Sequence, residues 1–84
     1  MEKLNVEQSK EFRKKVVESL VANKKYRAGQ AMFNVLYETH PTLANSIRGT
    51  EADPFHNNKH ISNFLNQTTE VQAIYEVWGD IIRG

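Results

Sequence analysis

Apolar residues recur along this chain at intervals of three and four, the spacing of helices with one buried face. Phe12, Val16 and Leu20, with Val17 and Val21 beside them, fall at four-residue intervals and predict a first helix from about Val6 to Asn23. Asn5 can cap its free amides, and Gln8 three residues later completes a capping box. A second helix is expected from about Tyr26 to Thr39. Ala28, Met32, Val35 and Leu36 form its stripe, and Phe33 and Tyr37 widen it. A helix apolar over so much of its circumference is normally the central one of a small bundle. Gly29 costs about 1 kcal/mol against Ala inside a helix, so it marks a close approach or a boundary. Pro41 disfavours helical geometry at His40 and ends this helix near Thr39 or His40.

Pro41 suits the first turn of a short third helix carrying Leu43, Ala44 and Ile47, with Gly49 as its stop. Thr50 to Phe55 then reads as a turn, in which Asp53 can cap a helical turn starting at Pro54. A fourth, short helix is expected over about Asn58 to Asn66, burying Ile61, Phe64 and Leu65. The last helix is expected to begin at Thr68 or Thr69. There Thr69 and Gln72 make a second capping box, and Val71, Ile74, Tyr75 and Trp78 form a stripe that Ile81 and Ile82 continue. No stretch alternates with period two for long enough to make a strand. The fold class is therefore all-α, a compact bundle of three main helices plus one or two short ones, as a single domain over residues 1–84.

Length narrows the function. A chain of 84 residues has a small core and little volume for a ligand pocket of several hundred Å³. It holds no cysteine, which removes disulfide frameworks, zinc ribbons and thiol nucleophiles. Gly-rich phosphate loops and G-x-S-x-G elbows are missing, and Ser9, Ser19, Ser46 and Ser62 carry no local sign of activation. The expectation is a non-enzyme without a cofactor. The start, MEKLNVEQSK, lacks the apolar run of a signal peptide, and no apolar stretch approaches the length of a membrane span. A cytoplasmic, soluble protein is expected.

Charge redistributes attention to the first helix. Residues 1–27 carry eight Lys and Arg against four Glu, and the remainder carries three basic against six acidic residues, so a net +1 divides into +4 and −3. Such a division can steer a charged partner or pair two copies of the chain. Lys10, Arg13 and Lys14 form the exposed basic face and are candidate contacts. A nucleic-acid-binding module using this helix is the alternative. Against it, Glu7, Glu11 and Glu18 interrupt the face, and a pI near 8.0 lies below the basic footprint of such domains.

The segment IRGTEADPFHNNKHIS, from Ile47 to Ser62, carries the remaining candidate chemistry. Arg48 suits the negative pole of a helix end and can reach back to Glu51 or Asp53. Gly49 allows a left-handed residue, Thr50 and Asp53 bond local amides, and Pro54 stiffens the exit. Arg48, Thr50, Asp53 and Phe55 are therefore expected to form an ordered turn that doubles as a contact surface. His56 and His60 stand four apart, a spacing that can bind metal on one helix face. Yet no Glu follows the first of them, Lys59 sits between them, and Pro54 with two asparagines favours a turn. No metal site is predicted, and metal or small-anion binding near the two histidines is kept as the weaker alternative.

The stretch GQAMFNVLYETHPTLANSIRGTEADPF, Gly29 to Phe55, resembles short uncharacterised proteins encoded by tailed bacteriophages and prophages. The resembling features are Gly29-Gln30, Phe33-Asn34, His40-Pro41-x-Leu43-Ala44 and Arg48-Gly49-Thr50 followed by Asp53-Pro54-Phe55. The resemblance covers about a third of the chain and implies a viral origin and an intracellular working place, with no catalytic residue to carry over. Taken together, these readings predict a small phage-type accessory protein that binds a protein partner, with assembly as a homo-oligomer open to it.

Overall fold

The computed structural model describes residues 2–83, the side chain of Arg83 excepted. Among them it shows α1 (Val6–Ala22), α2 (Ala28–Thr39), α3 (Pro41–Ile47), a 3-10 turn (Asn58–His60), α4 (Ile61–Thr68) and α5 (Val71–Arg83), with no strand. The all-α expectation stands, and the helix boundaries fall within two or three residues of the sequence reading.

Local chemistry sets most of those boundaries. At the start of α1 the expected capping box is complete: Gln8 N donates to Asn5 Oδ1 at 2.9 Å, and Asn5 N donates to Gln8 Oε1 at 3.0 Å. His40, held out of helical geometry ahead of Pro41, ends α2 and begins α3, so the two helices meet at one residue. α2 starts at Ala28 rather than Tyr26, because Arg27 is extended. Its amide Gly29 N is capped from a distance by Asn58 Oδ1 at 3.0 Å.

α2 is the central helix. It packs against α1 on one side and α3 on the other, burying Ala31, Met32, Phe33, Val35 and Leu36. Phe12 of α1 joins the second half of the core. Its ring lies 6.2 Å from Phe64 of α4 and 5.9 Å from Trp78 of α5. Leu36, Phe64 and Leu65 are fully enclosed, and burying side chains of this size stabilises by roughly 1.5–3 kcal/mol each.

Two expectations fail at the last helix. The segment ahead of α1 pairs with the α4–α5 joint: Leu4 N donates to Thr68 O at 2.8 Å and Glu70 N donates to Leu4 O at 2.9 Å. That bridge holds Thr69 extended and buries it, so the Thr69–Gln72 capping box does not form and α5 begins at Val71. The bridge also sets how α5 is rotated. Ala73, Ile74, Val77 and Trp78 face the core, while Val71 and Tyr75 are 66% and 67% exposed. In α1, similarly, Phe12 and Val16 are buried and Leu20 is half-buried, but Val17 and Val21 face outward. One row of apolar residues fits between α2 and α5, and the row beside it does not.

Candidate binding surface

Two sets of residues were expected to form contact surfaces, and the structure separates the members that are free from those it uses internally. Arg13 is used internally. Its guanidinium donates to both oxygens of Asp80, at 2.9 and 2.8 Å, and also to the carbonyl of Val77. It also lies over the Trp78 ring, 5.1 Å from its centroid. This ties α1 to α5, which run side by side in the same direction from the Leu4–Thr69 bridge. The Arg13 hydrogen bonds hold the Asp80 carboxyl down at about 2, outweighing desolvation, with the Arg13 charge adding to them. The same hydrogen bond raises the Arg13 pKa. Lys10 and Lys14 remain exposed, Lys10 in a loose 3.8 Å pair with Glu7 that contributes a few tenths of a kcal/mol. Of the three expected contacts on the basic face, the two lysines are exposed and the arginine is engaged within the fold.

The turn after α3 is as ordered as its composition predicts. Gly49 takes a left-handed φ of 75°, which residues with a side chain rarely adopt. Asp53 then staples the loop from inside. Its Oδ2 accepts from Gly49 N at 2.8 Å and its Oδ1 from Phe55 N at 2.9 Å. Thr50 donates its hydroxyl to Ile47 O at 2.6 Å and accepts from Ala52 N at 3.1 Å. Both side chains are therefore occupied in building the turn. Of the expected contact set, Thr50 and Asp53 are framework.

Arg48 behaves differently from its expectation. It does not fold back onto Glu51 or Asp53. Asp53 already accepts from two amides, and the guanidinium lies instead over two rings of α2, 4.9 Å from the centroid of Tyr37 and 5.7 Å from that of Phe33. Those rings are stacked at 6.4 Å and 10°, the natural result of i, i+4 spacing. Phe33 is buried, whereas Tyr37 is 46% exposed. Phe55, half-buried, stands edge-on to Phe33 at 5.9 Å and 89°, and its carbonyl accepts from Arg27 at 3.0 Å. Phe55 therefore plugs the cluster from the loop. The surface that results is Arg48 and Tyr37 outermost, Phe33 and Phe55 beneath, and a stapled turn at the rim.

In the sequence Tyr37 only widens the α2 stripe, and no local signal gives Arg27 or Asn58 a place in the turn. The Phe33–Tyr37 spacing was a usable signal for the stack. What brings Arg48 onto it is the reversal at His40, a tertiary feature.

His56 and His60 do not share a helix face. His56 precedes the 3-10 turn and sets its ring 4.8 Å from Phe55, while His60 closes the turn and directs Nδ1 to Asp53 O at 3.1 Å. With Gly49, Thr50, Asp53 and Asn57 they line a shallow hollow of about 210 Å³. Among the described residues no group of three or more His, Cys, Asp or Glu is placed to hold a metal ion. No helix among the described residues is long and apolar enough to cross a membrane. Comparisons with protein-family models, curated proteins and solved structures return no match for this chain.

Proposed function

We propose that the protein acts by binding a protein partner through the face formed by Arg48 and Tyr37, with Phe55 and the stapled turn as its rigid support. The observation that carries this reading is an exposed arginine held over two stacked rings, with no acidic side chain of the described residues bonded to it. Arginine and tyrosine, with tryptophan, are the side chains enriched where binding energy concentrates in protein interfaces. Holding them in place before contact reduces the ordering cost of binding. The nucleic-acid alternative has less support, since Arg13 is engaged with Asp80 and exposed Glu7, Glu11 and Glu18 stand among the lysines of α1. Lysines so interrupted by glutamates are better suited to steering a partner than to tracking a phosphate backbone.

The test is site-specific photocrosslinking from position 37 in the source cell, with and without Arg48→Ala. The expected result is one predominant adduct that Arg48→Ala reduces at least tenfold. Equal, nonspecific labelling from position 37 and from the far side at Gln72 would remove the reading.

A homo-oligomer is favoured by a separate observation. Six exposed large apolar residues, Val17, Val21, Val71, Tyr75, Ile81 and Ile82, all lie on α1 and α5, helices that pack against each other. Sedimentation equilibrium should then show self-association that Tyr75→Glu abolishes. A monomer at every concentration removes this reading.

A further inference from the structure

The contacts around Arg48 also bear on the chemistry of the group it would receive. An arginine held over an aromatic ring is engaged through its π face, and its N–H donors lie in the guanidinium plane, away from that contact. Among the described residues none of those donors is given an acceptor, in ion pair or hydrogen bond. The nearby groups are already committed. Asp53 accepts from two amides, Thr50 serves Ile47 and Ala52, and Arg27 donates to the Phe55 carbonyl. Arg48 is left as an exposed planar fork resting on the two rings of α2.

A fork of this kind grips a carboxylate, or two oxygens of a phosphate, through paired N–H donors. Sites for phosphates or nucleic-acid backbones gather several cations, or cations with free helix amides. Here the exposed neighbours in sequence are Glu38, beside Tyr37, and Glu51, three residues after Arg48. With two acidic residues beside Tyr37 and Arg48 in sequence, and no Lys or Arg within ten positions of Arg48, the charge pattern disfavours a polyanion. Tyr37, half out of the surface next to the fork, supplies an apolar wall for the carbon stem of an aspartate or glutamate.

We infer that Arg48, held by Phe33 and Tyr37, is a carboxylate-binding site that takes an acidic side chain of the partner in a two-pronged grip. The inference rests on the reading of this face as the partner surface, and narrows it to an acidic peptide segment.

The experiment is an NMR titration of the isotope-labelled full chain. The probes are an acetylated, amidated Ala-Glu-Ala-Glu-Ala peptide, its Gln counterpart, the Gln peptide with a free C-terminus, inorganic phosphate and a short DNA duplex. The Glu peptide is expected to shift the Arg48 Nε–Hε signal and the Tyr37 amide saturably, and the amidated Gln peptide to leave both in place. Arg48→Lys keeps the charge but loses the fork and the stack, so it should weaken the Glu peptide about tenfold while the protein stays folded, the melt falling by no more than about 8 °C. A response to the free C-terminus alone would confirm carboxylate chemistry and move its source to a chain end. Equal responses to Glu and Gln peptides, tighter binding of phosphate or DNA, no response at all, or wild-type affinity in Arg48→Lys would each overturn the inference. Photocrosslinking at position 37 that captures a partner while the peptide series fails would leave the face standing and the carboxylate site refuted.

Discussion

Gly29→Ala is a direct test of how the turn is docked on α2. Gly29 is the second residue of the helix, where α2 meets the segment from Pro54 to Asn58. A Cβ built at Gly29 falls inside 3.0 Å of the Pro54 carbonyl oxygen, a backbone atom, and at 3.0 Å from both Asn58 Oδ1 and Pro54 Cβ. Backbone cannot step aside as the tip of a flexible side chain can, so the loop must lift from the helix. Overpacking of this kind costs roughly 1–3 kcal/mol. Lifting also endangers the bond from Gly29 N to Asn58 Oδ1, worth about 1 kcal/mol net. Against these stands the helix preference for Ala over Gly, about 1 kcal/mol at most. The balance is a loss of about 1–3 kcal/mol. For a domain of this size each kcal/mol moves the melting temperature by about 4–8 °C, so a drop of about 5–20 °C is expected by circular dichroism. Asn58→Ala, which removes the cap without the clash, should lose only about 1 kcal/mol. A Gly29→Ala protein melting at or above the wild-type temperature would show that the loop does not sit against α2 as described.

Three further substitutions probe other contacts. Asp53→Ala leaves Gly49 N and Phe55 N without their acceptor and should cost about 1–3 kcal/mol in urea unfolding at an unchanged m-value; a loss under 0.5 kcal/mol would mean the staple is not needed. Ser9 is fully buried and its hydroxyl has no partner among the described residues, so Ser9→Ala should raise stability by about 1 kcal/mol, and a lower melting temperature would contradict that assignment. The Arg13–Asp80 pair should be visible as pH dependence. Asp80 titrates at about 2 when folded, below its ordinary 3.8, so its ionised form stabilises the fold above about pH 4 and that contribution is lost as pH falls toward 2. The melting-temperature gap between wild type and Asp80→Asn should therefore be constant near neutral pH and close between pH 4 and 2; a gap that persists at pH 2 would assign the effect to something other than the ion pair.

Much of the fold was legible in the residues alone. The period of Phe12, Val16 and Leu20, the Asn5–Gln8 box, and Pro41 and Gly49 as stops are local features, and local hydrogen bonding and backbone sterics enforce them wherever the chain goes. The internal wiring of the turn was legible for the same reason, since Asp53 and Thr50 bond groups within four residues of themselves. What the tertiary structure decided are the features that depend on a distant neighbour. Leu4 pairing with the Thr68–Glu70 joint sets the start and rotation of α5, and so exposes Val71 and Tyr75 where spacing alone would have buried them. Asp80, 67 residues away, turns Arg13 from a surface contact into a clamp. The chain reversal at His40 lays Arg48 on Phe33 and Tyr37 rather than on its own neighbours Glu51 and Asp53. Periodicity says that a helix has an apolar face, but which neighbour covers that face, and which charge meets which, is settled only when the helices pack.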